Sequence, residues 1–153
     1  MIQGTSARWL GPATEPQISA IEAELGHAVP LEYRQFLLAH GCGIVDGLEL
    51  FGLGRVSGGL PDLGFVLGQI RTMGFHRPKG LVPFAAVGNG DYVAIPGEVI
   101  QGVAPGRVVY WRPARAGAGE VEDTCGGLVD WVEKHRRAAA RSLGNAGRGA
   151  AGR

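Results

Sequence analysis

The residues best equipped for chemistry are four histidines, His27, His40, His76 and His135, and two cysteines, Cys42 and Cys125. A metal centre takes its ligands from short, recurrent spacings such as His-Glu-x-x-His, Cys-x-x-Cys or His-x-His. None of these occurs, and each histidine stands alone, so the pattern predicts neither a metal nor a cofactor. His40 and Cys42 are close in sequence, but a thiol nucleophile needs a base positioned across the fold, and Gly41-Cys42-Gly43 reads first as a helix terminus. No Gly-x-Ser-x-Gly elbow is present. Gly52-Leu53-Gly54 lacks a third glycine at the dinucleotide spacing, and no Gly-Lys-Ser/Thr phosphate loop exists. The carboxylates are scattered, and the pair Glu120 and Glu122 falls in an expected loop before the last helix. This inventory predicts a protein that is not an enzyme.

The elements that must position the remaining polar residues are legible from periodicity and punctuation. Leu81 to Ile95 is an apolar run broken at Gly88-Asn89-Gly90-Asp91 and predicts strand, tight turn, strand. Asn-Gly at its centre predicts a type I′ turn, in which both central residues take positive φ. Upstream, Thr14 with Gln17 forms a capping box for a helix over about 14–25 that buries Ile18, Ile21 and Leu25 and ends at Gly26. Pro30 opens a second helix whose Tyr33, Phe36, Leu37 and His40 share one face, and the short connection makes the two helices neighbours. Residues 46–52 alternate as a half-buried strand, followed by a loop through Gly54, Gly58 and Gly59. Pro61 and Asp62 start a third helix with Leu63, Val66, Leu67, Ile70 and Met73 on one face. Val99-Ile100 is a short extended segment, and residues 107–112 form a strand with Val108 and Tyr110 on one face and Val109 and Trp111 on the other, as in a covered sheet. Asp123 or Thr124 caps a last helix with a stripe of Leu128, Trp131, Val132 and His135.

At 153 residues the chain suits one domain, here 1–142, with 143–153 a Gly/Ala/Arg tail expected to be disordered. The N-terminus lacks a secretory pattern, and no apolar run approaches the ~18 residues of a membrane span. With few cysteines, the expected location is a reducing cytoplasm. The net charge is +1, but five of the 15 basic residues, Arg136, Arg137, Arg141, Arg148 and Arg153, lie after residue 135. The first 135 residues therefore carry ten basic against 14 acidic groups, a net −4. That balance argues against a nucleic-acid-binding body and leaves open a basic protein partner.

Taken in order, several stretches resemble one family. They are the acidic helix ending in Leu25-Gly26, then Val29-Pro30-Leu31-Glu32-Tyr33-Arg34-Gln35-Phe36-Leu37, then the Gly-Cys-Gly break. They continue with Gly47-Leu48-Glu49-Leu50-Phe51-Gly52, Leu81-Val82-Pro83-Phe84-Ala85 leading to Gly88-Asn89-Gly90-Asp91-Tyr92, Gly106 to Trp111, and the helix holding Leu128 and Trp131. Over about residues 14–138 the chain resembles the SUKH superfamily, which includes a yeast cell-wall assembly regulator domain and many bacterial immunity proteins. The resemblance implies an α+β fold, with N-terminal helices and a C-terminal helix on a mostly antiparallel sheet. It also implies a non-enzymatic immunity protein that occludes a cognate toxin, with a basic nuclease domain the kind its acidic body suits; a regulatory scaffold without a toxin is the alternative. The expected partner-binding residues are Glu49, Asn89, Asp91, Tyr92, Trp111 and Arg112, on or beside the sheet. Neither a membrane nor nucleic acid is expected as partner.

Overall fold

Local signals place the N-terminal helices where the spacing predicts. In the computed structural model, which describes residues 7–54 and 61–150 apart from the side chains of 140 and 143–150, helix α1 spans Glu15–Leu25. Gln17 N–H donates to Thr14 Oγ1 while the Thr14 N–H donates to Gln17 Oε1, so two helix-end donors are satisfied reciprocally. Gly26 closes the helix at φ 82°. Helix α2, Leu31–His40, follows Pro30 and buries Tyr33, Phe36 and Leu37. The two helices are neighbours, linked by Arg34, which pairs with Glu15 and lies 3.6 Å from Glu22.

Three short strands, β1 (Ala7–Trp9), β2 (Gly43–Val45) and β3 (Leu48–Leu50), form an antiparallel sheet in that order. Alternation foretells only β3; β1 and β2 are three residues each, too short to show a period. The type I′-like turn lies here, at Asp46 (φ 47°) and Gly47 (φ 83°). At the predicted site the geometry differs: Gly88 and Gly90 take positive φ and Asn89 does not. Asn89 instead accepts the Asp91 N–H on its Oδ1 at 3.0 Å, and Val87 N–H reaches the Asp91 carbonyl at 3.2 Å. The side chain closes the corner, so the backbone has no need of the mirror-image turn.

A second antiparallel sheet is a meander of β4 (Leu81–Ala86), β5 (Tyr92–Pro96), β6 (Val109–Arg112) and β7 (Glu120–Asp123). Strand β7 corrects the expectation of a loop around Glu120 and Glu122, because its residues pair with β6 from Arg112↔Glu120 to Val109↔Asp123. Helix α3, Leu63–Thr72, is capped by Asp62 and buries Leu63, Val66, Leu67 and Ile70; Met73 ends it exposed rather than on the buried face. Between β5 and β6, Ile100 forms only an isolated bridge with Val103.

Apolar side chains alternate across the second sheet and fill two cores. Val82, Phe84, Val93, Ile95 and Val108 join α1, α2, the first sheet and helix α4 (Leu128–Ala150). Leu81, Ala94, Val109 and Trp111 meet Val66 and Ile70 of α3 on the opposite face. The sheet is thus covered on both sides, although Tyr110 stays 37% exposed at the margin. Phe51 joins the two sheets: its N–H donates to the Phe84 carbonyl at 2.7 Å, and its carbonyl accepts the Tyr33 hydroxyl at 2.7 Å. The architecture is α+β, as predicted.

Helix α4 is capped from afar. Glu32 of α2 accepts the Val129 N–H at 3.1 Å, whereas the expected caps serve elsewhere: Asp123 accepts the Cys125 N–H, and the Thr124 hydroxyl donates to the Val108 carbonyl. Leu128, Trp131 and Val132 are buried; His135 is exposed, contrary to the predicted stripe. The α4 backbone continues past Ser142 to Ala150. Residues 1–6, 55–60 and 151–153 lie outside the described residues, and with them the N-terminal reading, the loop at Gly58 and Gly59 and the end of the tail.

Candidate partner-binding surface

The β4–β5 hairpin carries its polar tip to one end of the four-stranded sheet. Register then sets what surrounds it: Tyr92 faces Trp111 across β5 and β6, and Arg112 faces Glu120 across β6 and β7. The Arg112 guanidinium lies 3.5 Å from Asp91 on one side and 3.2 Å from Glu120 on the other. This forms a three-residue charge ladder that runs from the hairpin turn across β6 to β7. Asp91 is the most sheltered member, with its side chain 16% exposed, while Arg112 and Glu120 are open to water. Ion pairs this exposed contribute little stability, ~0–1 kcal/mol, so the ladder fixes side-chain positions more than it holds the fold.

Four of the six expected residues, Asn89, Asp91, Tyr92 and Arg112, cluster at this end. Tyr92 is half-buried and stacks on Trp111 with centroids 5.4 Å apart, and burial pushes its hydroxyl pKa up. Trp111 is fully buried, and its indole N–H donates to the Ala118 carbonyl at 2.8 Å. It supports Tyr92 from beneath and offers no surface to a partner. Glu49 lies on β3, exposed between buried Leu48 and Leu50. It lines an open cleft of about 390 Å3 with Leu48, Phe51, Ala86, Val87 and His135, which places it beside the hairpin.

Other members of this surface are not evident from the sequence. Glu120 and Glu122 enter it only because β7 pairs with β6, and four residues with acidic alternation, Glu-Val-Glu-Asp, resemble a loop in composition. The Glu122 carboxylate has no hydrogen-bond or ion-pair partner among the described residues. His135 stacks on Trp131 at 5.0 Å, and the Trp131 N–H donates to the Tyr110 hydroxyl at 3.2 Å. The period of α4 assigns His135 to the core, but its side chain is exposed, with the ring on Trp131.

The groups with nucleophilic or ligating potential are placed otherwise. Cys42 is buried, and burial, aided by nearby Asp62, pushes its thiol pKa up to about 11, which disfavours the reactive thiolate. Among the described residues no group of three or more His, Cys, Asp or Glu could hold a metal ion, and no helix is long and apolar enough to cross a membrane.

The fold and its charged sheet end define an α+β domain with a polar surface built on a hairpin meander. The model of the SMI1 / KNR4 family (SUKH-1) matches residues 12–134, and the chain belongs to this family, the group its ordered motifs resemble. No curated protein matches it.

Proposed function

We propose that this chain is an immunity protein that binds a cognate toxin domain and neutralises it by occlusion, without catalysis, in the cytoplasm. Its family includes toxin immunity proteins. The observation that most supports the reading is the sheet end itself: Asp91, Arg112 and Glu120 form a fixed charge ladder, with Glu49 and Glu122 exposed on either side. A surface of this sign suits a basic partner, and a nuclease domain, which must itself attract phosphates, has that charge. Arg112 within the ladder supplies register, since a misplaced basic group of the partner would meet it and be repelled.

Co-expression with the toxin encoded beside the gene tests the proposal. Cells carrying both should survive, and the double charge reversal Asp91→Lys with Glu122→Lys should weaken rescue while leaving the protein folded. Equal killing with and without this protein would overturn the immunity reading for that toxin.

A further inference from the structure

The cleft between β3, the hairpin tip and α4 combines three features that together specify a guest. Leu48, Phe51, Ala86 and Val87 give it apolar walls. Glu49 brings a carboxylate that has no hydrogen-bond or ion-pair partner among the described residues. His135 contributes a flat ring, held nearly parallel to Trp131 at an interplanar angle of 22°. The neighbouring charges are already matched: Arg136 lies 3.6 Å from Asp46 and 3.5 Å from Glu133, so Arg136 does not neutralise Glu49.

A guest must satisfy all three features. An anion would face Glu49 unfavourably, and a purely apolar group would desolvate the carboxylate without compensation. A long side chain with an aliphatic stem and a cationic head meets both demands, its stem on the walls and its charge on the carboxylate. The ring selects between the two natural choices. A guanidinium is planar, stacks on aromatic faces, is more weakly hydrated than an ammonium and matches a carboxylate with two parallel N–H donors. At about 390 Å3 the cleft admits such a chain together with the backbone that presents it.

We propose that this cleft is an arginine pocket, in which Glu49 receives the guanidinium of a partner protein and His135 stacks on it. The inference rests on the reading of the chain as a protein binder and supplies the anchor that an otherwise open polar surface lacks; such anchors dominate binding energy. It also explains why Glu49 is remote in sequence from the other candidate residues yet adjacent to the hairpin in the fold.

The test is an amide NMR titration of the whole chain with N-acetyl-arginine amide, set against its uncharged isostere N-acetyl-citrulline amide. The arginine compound should shift the amides of Glu49, Val87 and Gly88, and the citrulline compound should not. Glu49→Gln should abolish the response. Ala86→Leu, which fills the cleft and leaves every charge in place, should abolish it too. Equal shifts from citrulline, shifts centred on Glu120 and Glu122, a response that survives A86L, or no response at all would each overturn the pocket. The co-expression result is independent: loss of the arginine response removes the pocket and leaves immunity standing, whereas failed rescue with an intact response removes immunity and leaves the pocket.

Discussion

Tyr33 shows how much one hydroxyl can organise. It sits on α2, fully buried, and donates to the Phe51 carbonyl at the residue that joins the two sheets. Burial raises its pKa well above the ordinary tyrosine value, as expected for a neutral donor with no route to water. Tyr33→Phe keeps the ring but leaves a buried carbonyl unpaired, and chemical denaturation should record a loss of about 1–3 kcal/mol. His40 makes a pH prediction. It stacks on Trp9 at 4.0 Å, its Nε2 is buried with no hydrogen-bond partner among the described residues, and burial lowers its pKa. Its folded-state pKa lies below the ordinary value, so the unfolded chain binds more protons as pH falls through about 6.5, and stability must fall with it. The denaturation midpoint should therefore drop between about pH 7 and 5. His40→Phe, which keeps the stack, should flatten that slope; an unchanged slope would assign the loss to other groups.

At the scale of elements, glycines separate helix cost from close packing. Gly68 lies inside α3 with nothing within 4 Å of an added Cβ, so Gly68→Ala should stabilise by roughly 0.5–1 kcal/mol in thermal unfolding. Gly41 has φ 73°, and a Cβ there would overlap the carbonyl oxygens of Gly11 and Leu53. Gly41→Ala should therefore prevent normal folding, seen as loss of soluble protein or of cooperative unfolding. The sequence marks Gly41 as helix punctuation; the fold adds that it holds three chain segments together. Helix α4 gives the same contrast. Its apolar period identifies Leu128, Trp131 and Val132, but its cap comes from Glu32, far away in sequence, and no local pattern could announce that.

For the whole molecule, charge asymmetry is the main lever. With a net −4 over residues 1–135, association with a basic partner should slow as salt rises, measured by stopped-flow mixing at graded ionic strength. A rate indifferent to salt would remove electrostatic steering from the mechanism. The last turns of α4, residues 143–150, hold one large apolar residue, Leu143, and three glycines, Gly144, Gly147 and Gly149, each costing about 1 kcal/mol in a helix interior. Truncation after Ser142 should accordingly leave the melting temperature unchanged.

The sequence on its own carried the helices, the side-chain caps of α1 and α3, the central hairpin and the family, because these depend on short-range periodicity, on turn-forming residues and on the order of motifs along the chain. It also brought forward Glu49, Asn89, Asp91, Tyr92 and Arg112 as polar residues on or beside strands. Tertiary structure alone decided which of them share a surface. Pairing of β6 with β7 set Arg112 between Asp91 and Glu120, burial withdrew Trp111, and the approach of β3 and α4 to the hairpin turned Glu49 and His135 into one cleft. Such contacts depend on register and on packing between distant segments, and neither leaves a periodic trace in the chain. The polar hairpin tip is written in the sequence; the cleft beside it exists only in the fold.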